Sequence, residues 1–395
     1  MDSNKKQAYV SEFKELLASN ILGFWTQTMK DPNGGFYGQM TGDGVLHRDA
    51  ERGVILNARI LWTYSAAYNT TQEPTALEQA DHAYAYLMKH FVDEEAGGIV
   101  WSVDASGAPV ETKKQIYAQA FTIYALSEYY MASGQDYALE VAQRLFALVE
   151  QHSFDVQRNG YLEALDRYWQ PLDDVRLSEK DLNATKTMNT HLHVLEAYTN
   201  LYRVWKDERL AQQLANLIDL MKGRFLSDAG HFHLFFDDDW QLQSDEISFG
   251  HDIEGAWLLH EAAEVLGDAV LLEEVKAVSL LMTDAALLGL DADGGLMNEA
   301  NTHGLTDTDK HWWPQAEALV GLYNAFELSG EQKYLVDFER VWQFVCKTLI
   351  REEGEWYWRV NRDGEVIPTE DLAGPWKCPY HNGRAMLELI RRMEN

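Results

Sequence analysis

The chain has 395 residues, more than one ordinary globular core takes, and its 46% hydrophobic and 24% charged content is that of a folded soluble protein. With 63 acidic against 33 basic residues the formal charge is −30, which repels nucleic acid and anionic membrane surfaces, disfavours a phosphorylated substrate and suits a neutral one. The two cysteines, Cys346 and Cys378, are too few for a disulfide framework, so free thiols in a reducing cytoplasm are expected.

The opening MDSNKKQAYVSEFKELL reads as an amphipathic helix rather than a signal peptide, and no later run reaches the ~18 apolar residues of a membrane span. GGFYGQM (34–40) begins a series of like segments: GGIVWSVDASG (97–107), NGYLEALDRYW (159–169), GHFHLFFDDDW (230–240), GGLMNEANTHG (294–304) and GEWYWRVNRDG (354–364). Each pairs glycine with aromatic or β-branched residues, and most run into Asp, Asn or Gly, the chemistry of a short strand and turn. Their starts recur at intervals of about 60 to 70 residues, the mark of a repeat. Between them, 53–69 and 115–131 carry apolar groups at helical spacing, while 138–151, 207–224 and 332–349 are more amphipathic. Two helices and one hairpin-like connection per repeat predict an all-α toroid, an (α/α)6 barrel with the charged helices outside. No Pro- or Ser-rich linker divides it, so residues 1–395 are expected to form a single catalytic domain.

The segment NTHLH (189–193) places His191 and His193 about 200° apart on a helix, so they cannot share a ligand face. Asn189, His193 and Glu196 do share one, and the paired histidines of a zinc helix at i and i+4 are missing. In SFGHDIEGAW (248–257), His251 lies near a helix start with Glu254 one turn on, a spacing that lets the carboxylate orient the imidazole. In DLAGPWKCPYHNGRAMLELI (371–390), prolines and glycines delay a helix to about Asn382 and leave His381 at a loop-to-helix junction near Trp376. HWWPQAEAL (311–319) sets Trp313 beside a polar loop with Glu317 one turn on, and the faces of Trp313 and Trp376 suit stacking on sugar rings. Arg59 falls inside an apolar helix, where it needs either a salt bridge or an anion to stabilise.

Taken together, GGFYG (34–38), ERGVILNAR (51–59), YAQAFTIYAL (117–126), MNTHLHVLEAY (188–198), FGHDIEGAWLL (249–259), WWPQAEAL (312–319) and GPWKCPYHNGRA (374–385) resemble the N-acylglucosamine 2-epimerase superfamily, in its branch acting on β-1,4-linked disaccharides. The resemblance runs over essentially the whole chain. It implies an (α/α)6 barrel without metal or organic cofactor, and reversible inversion of C2 in the reducing-end sugar of cellobiose, lactose or a mannobiose-type disaccharide. It further implies that His251 and His381 act as acid and base, that Arg59 and His193 hold the enediolate oxygens, and that Tyr117, Phe121, Asp181, Asn189, Glu254, Trp313, Glu317 and Trp376 bind substrate or orient the histidines. A monomer or weak homodimer is expected. Competing readings are a mannose isomerase or mannose 2-epimerase, a glycoside hydrolase using a pair such as Glu254 and Glu317, and a non-catalytic sugar binder.

Overall fold

The computed structural model describes residues 1–394. Twelve helices follow one another along the chain: α1 (Ser3–Glu15, extended by wider π-type turns to Met29), α2 (Val54–Thr71), α3 (Pro74–His90), α4 (Ile116–Ser133), α5 (Asp136–His152), α6 (Met188–Val204), α7 (Glu208–Leu220), α8 (Phe249–Leu266), α9 (Ala269–Ala286), α10 (Trp312–Ser329), α11 (Gln332–Thr348) and α12 (Tyr380–Glu394). The even-numbered ones are buried on nearly every side over their first three turns, which only an inner position allows. The odd-numbered ones bury a single stripe. α2, α4, α6, α8, α10 and α12 each pack on the next and α12 returns to α2, closing an inner ring; α1 leans on α12, and each later odd helix on the even helix before it. This is the (α/α)6 barrel expected from the repeat. No helix of the described residues is long and apolar enough to cross a membrane.

The connections leading into the inner helices gather at one end of the ring. Each contains a tight hairpin-like bridge, such as Val92 with Ile99 or Phe154 with Tyr161, as the glycine-aromatic segments predict. The sequence did not indicate that most of the short strands pair with a neighbouring repeat. Arg52–Gly53 pairs with Ser102–Val103, Lys114–Gln115 with Ala164–Leu165, and Lys186–Thr187 with Phe235–Phe236. Met40 bridges to Ala373 and joins the first repeat to the last.

Two polar devices repeat with the fold. A cation two residues before an inner helix meets an aspartate of its own connection: Arg52 with Asp31 at 2.5 Å, Lys114 with Asp93 at 2.9 Å, Lys186 with Asp155 at 3.0 Å and Lys310 with Asp293 at 2.7 Å. The fourth residue of an inner helix accepts from a backbone N–H of the same connection. Gln119 accepts from Ile99 (2.8 Å), His191 from Tyr161 (2.8 Å), Asp252 from Phe232 (2.7 Å) and Gln315 from Leu296 (2.7 Å). His191 also has its Nδ1 2.6 Å from the Thr187 carbonyl, which leaves no ring nitrogen free. It is the third repeat's version of a structural tie.

α12 starts at Tyr380, two residues earlier than the prolines and glycines suggested, so His381 lies in its first turn. Glu355 fixes that start: its carboxylate, fully buried, accepts from Lys377 Nζ (2.7 Å), Asn382 Nδ2 (2.6 Å) and Trp25 Nε1 (2.6 Å).

Candidate active site

Residues four apart on a helix stack on one face, and the second and sixth residues of the inner helices form two rungs around the barrel axis. The second positions supply Tyr117, Asn189, Trp313 and His381; the sixth supply Arg59, Phe121, His193, Glu254 and Glu317. At the second position of α8 stands Gly250, where a Cβ would come within 2.5 Å of the Trp313 indole. Glycine there leaves the indole its place, and His251 follows as the third residue.

The ring of Trp313 lies 4.8 Å from that of His251 and 5.6 Å from that of His381, so one half-buried indole lies against both histidines. His381 Nδ1 is 2.7 Å from Glu317 Oε1. An ionised carboxylate only accepts, so Nδ1 carries the hydrogen and Nε2 keeps a lone pair. His251 Nδ1 is 2.8 Å from the hydroxyl of Ser248, the N-cap of α8. A hydroxyl can donate or accept, so His251 can present its other nitrogen in either form.

The opposite wall is cationic and aromatic. Arg59 is 3% exposed, makes no carboxylate pair among the described residues, donates to the Tyr117 hydroxyl at 2.8 Å and lies over the rings of Phe121 (4.3 Å) and Tyr380 (4.8 Å). Its Nε has no hydrogen-bond partner among the described residues. Burial works against its charge, but Tyr117, Cys378, Tyr380 and Glu254 outweigh that and hold its pKa above the ordinary value. Of the two roles open from sequence, the structure leaves the guanidinium without a salt bridge. His193 packs on Tyr117 and Phe121, with Nδ1 2.8 Å from Glu196 Oε2. Burial drives His193 down to about 3, and lowers His251 and His381 as well. The buried side-chain oxygen of Asn189 is unpartnered among the described residues.

Beneath both walls sits Arg384. Its guanidinium is bonded to Glu254 (2.6 Å), Glu317 (2.7 Å), Glu196 and the Tyr380 hydroxyl. Two sequence readings change here. Glu254 does not orient His251: its Oε1 is taken by Arg384 and lies 3.9 Å from His381 Nδ1, while Ser248 holds His251. Nor can Glu254 and Glu317 flank a scissile bond as a hydrolase pair must, because one Arg384 nitrogen bonds both. Donor atoms of Glu254, Glu317 and His381 lie within 4.8 Å of one another, a spacing that could suit a metal ion, and Arg384 supplies the positive charge at that point.

Two loop residues complete the mouth. Trp376, half-buried, lies against Trp101 (6.0 Å) and Tyr117 (6.1 Å). Asp181 accepts from the backbone of Ser178 at 2.9 Å and acts on His251 only through its charge. Sequence reasoning missed the central roles of Arg384, Tyr380, Ser248 and Glu355. Arg384 and Tyr380 were visible within the same motif as His381, but their partners lie as far as 188 residues away, and Ser248 carried only an N-cap signal.

This is an (α/α)6 barrel whose hairpin end holds three histidines, an arginine without a salt bridge among the described residues, and tryptophan faces. The chain matches the N-acylglucosamine 2-epimerase (GlcNAc 2-epimerase) family over residues 35–385 and belongs to it. A cellobiose 2-epimerase of Bacteroides fragilis is 51% identical over 394 residues, covering 99% of this chain and 100% of its own. One from Ruminococcus albus is 42% identical over 390 residues, covering 97% and 98%. The solved structure of cellobiose 2-epimerase from Bacillus thermoamylovorans B4167 superposes with a TM-score of 0.94 at 41% identity, covering 98% of this chain and 100% of that one.

Proposed function

We propose that this chain, acting as a single catalytic domain, reversibly inverts C2 of the reducing-end glucose in β-1,4-linked disaccharides, turning cellobiose into glucosyl-mannose and lactose into its epimer. The observation that carries this reading is the pair His251 and His381 against one indole, Trp313, each held at Nδ1 with its other nitrogen left for substrate.

The C2 hydrogen of a sugar becomes acidic only in the open-chain aldehyde, so the ring opens first, a step that His381 is placed to assist by moving a proton at Nε2. One histidine then takes the C2 proton and leaves an enediolate with its charge on the C1 and C2 oxygens. The other returns a proton to the opposite face, and the roles exchange in the reverse direction. Trp313 and Trp376 hold the sugar faces, with Tyr117, Phe121, Asn189 and Asp181 around them. The uncompensated charge of Arg59 faces the developing oxyanion, an interaction worth roughly 3 kcal/mol at the barrier. His193, with Nδ1 donating to Glu196, offers a lone pair to a substrate hydroxyl; it donates to an oxyanion only when charged.

Epimerisation needs one proton shared by the histidine pair, held by one member while the other acts as base. Burial lowers each histidine, so the other member of the pair stays neutral and able to act as base.

The test is product analysis of the purified protein with cellobiose, lactose and free mannose. Epimeric disaccharide from the first two, and its loss in His381→Ala, is the expected result. Conversion of free mannose alone would move the activity to the monosaccharide enzymes, and release of free glucose from cellobiose would make it a hydrolase.

A further inference from the structure

The sixth repeat makes its tie the other way round. In four repeats a backbone N–H of the connection is accepted by the fourth residue of the inner helix, as that of Ile99 is by Gln119 and that of Tyr161 by His191. The residue before the bonded N–H is Gly98 in one and Gly160 in the other, both at positive φ, and a Cβ on either would stand 3.0 Å from the accepting atom. In the sixth repeat the fourth residue of α12 is Gly383, and Glu355 takes the glycine's place in the connection. Glu355 keeps the left-handed backbone, with φ 64°, and its own Oε1 accepts the equivalent N–H, that of Trp356, at 2.9 Å. A non-glycine residue persists in that region where its surroundings fix it, and such positions gather at functional sites.

The exchange gives the tie a longer reach. Gln119 and His191 bond backbone groups, whereas the Glu355 carboxylate also accepts from Lys377 Nζ at 2.7 Å and Asn382 Nδ2 at 2.6 Å. These two residues stand on either side of His381 in the chain. The Lys377 carbonyl accepts from the N–H of Gly374 at 3.0 Å, which closes the turn that carries Trp376. Its ammonium lies 5.0 Å from the centre of the Trp312 ring, and that ring meets His381 edge-on at 6.2 Å. The side chains of Glu355 and Lys377 have no exposed surface, so water does not compete for these bonds.

We infer that Glu355 is a positioning residue for the reaction: by clasping the chain before and after His381, it sets where that imidazole stands against Trp313 and Glu317. Its own bonds go to Trp25, Trp356, Lys377 and Asn382, none of which lines the sugar site as described above. The inference rests on the acid–base role proposed for His381. A catalytic group displaced by about an ångström can cost roughly 10²-fold in rate, so the clasp bears on the chemical step rather than on sugar binding.

Two variants of the full chain test this. Glu355→Gln with Lys377→Met removes the clasp without stranding a buried charge, and Asn382→Ala releases one arm while leaving the ion pair in place. With folding checked by melting, kcat for cellobiose should fall in both, by roughly tenfold or more in the first, with KM within about twofold. In protein labelled with ¹⁵N-histidine, the Nδ1–H signal of His381, which reports its bond to Glu317, should shift in both variants while that of His191 stays. That signal is read without substrate, so it tests the positioning even where the wild type leaves cellobiose unchanged, an outcome that would count against the proposed function alone. A folded variant that turns over as the wild type does, a loss carried by KM, or an unmoved His381 signal would overturn the inference.

Discussion

Glu317 Oε1 stands 2.7 Å from Nδ1 of His381 and 2.7 Å from Nη2 of Arg384, so one buried oxygen sets the tautomer of a histidine while sharing a guanidinium with Glu254 and Glu196. Glu317 acts through His381 and needs no contact with substrate. Its replacement should therefore act on the chemical step. In Glu317→Gln, kcat for cellobiose should fall by roughly 10²-fold with KM within about twofold, measured by steady-state kinetics. A change confined to KM would make Glu317 a sugar ligand instead.

Arg384 is 1% exposed and is the hub for three equally buried carboxylates. Arg384→Met removes the charge that lets them coexist, and breaking a buried pair costs about 3–5 kcal/mol. A melting temperature several degrees lower is expected by calorimetry. Adding Glu254→Gln should recover part of that loss, since it removes one of the carboxylates left facing the others. A double variant no more stable than the single one would separate Glu254 from the cluster.

His191 and His193, two residues apart, should respond oppositely to the same substitution. Gln119 and Gln315 make the tie that His191 makes, accepting from the connection and donating to a backbone carbonyl. His191→Gln should then fold within about 1 kcal/mol of the wild type and keep its activity, while His193→Gln, which removes the acceptor offered to a substrate hydroxyl, should lose roughly tenfold or more in kcat/KM. Equal losses would contradict the assignment.

Two buried groups give pH dependences of opposite sign. His191 is pushed by burial from 6.5 to about 4. Its unfolded form takes up the proton first, so its contribution to stability is complete above pH 6.5 and is lost as pH falls toward 4. Relative to the wild type, His191→Gln should gain stability across that window. Glu163 is pushed by burial from 4.5 to about 7, against the hydrogen bonds of Thr190 and Thr187. The protonated folded form is favoured, so its contribution is complete below 4.5 and is lost as pH rises through 7. Glu163→Gln should gain relative stability over that range. Melting curves from pH 4 to 8 check both, and parallel profiles for the three proteins would contradict the assignments.

The barrel was legible because inner helices such as α2 and α4 are apolar on nearly every side and its connections repeat one chemistry of glycine and aromatics. The rungs were legible in part, since i, i+4 spacing places Asn189 with His193 and Trp313 with Glu317. What spacing cannot give is which of several partners wins. His251 and Glu254 sit one turn apart, yet Arg384, 130 residues on, takes the carboxylate and Ser248 takes the imidazole. A pairing made by ring closure leaves no local trace. The early start of α12 has the same origin, for Glu355 and Lys377 stabilise a helix end that its own sequence does not signal.

The most direct measurement is proton NMR of cellobiose with the purified protein in D₂O, followed in the wild type, His251→Ala and His381→Ala. The two-histidine mechanism predicts deuterium entering C2 of the reducing-end sugar as a mannose-type end appears, with the glycosidic bond intact and the conversion lost in both variants. No C2 exchange in the wild type, or undiminished conversion in either variant, would contradict it.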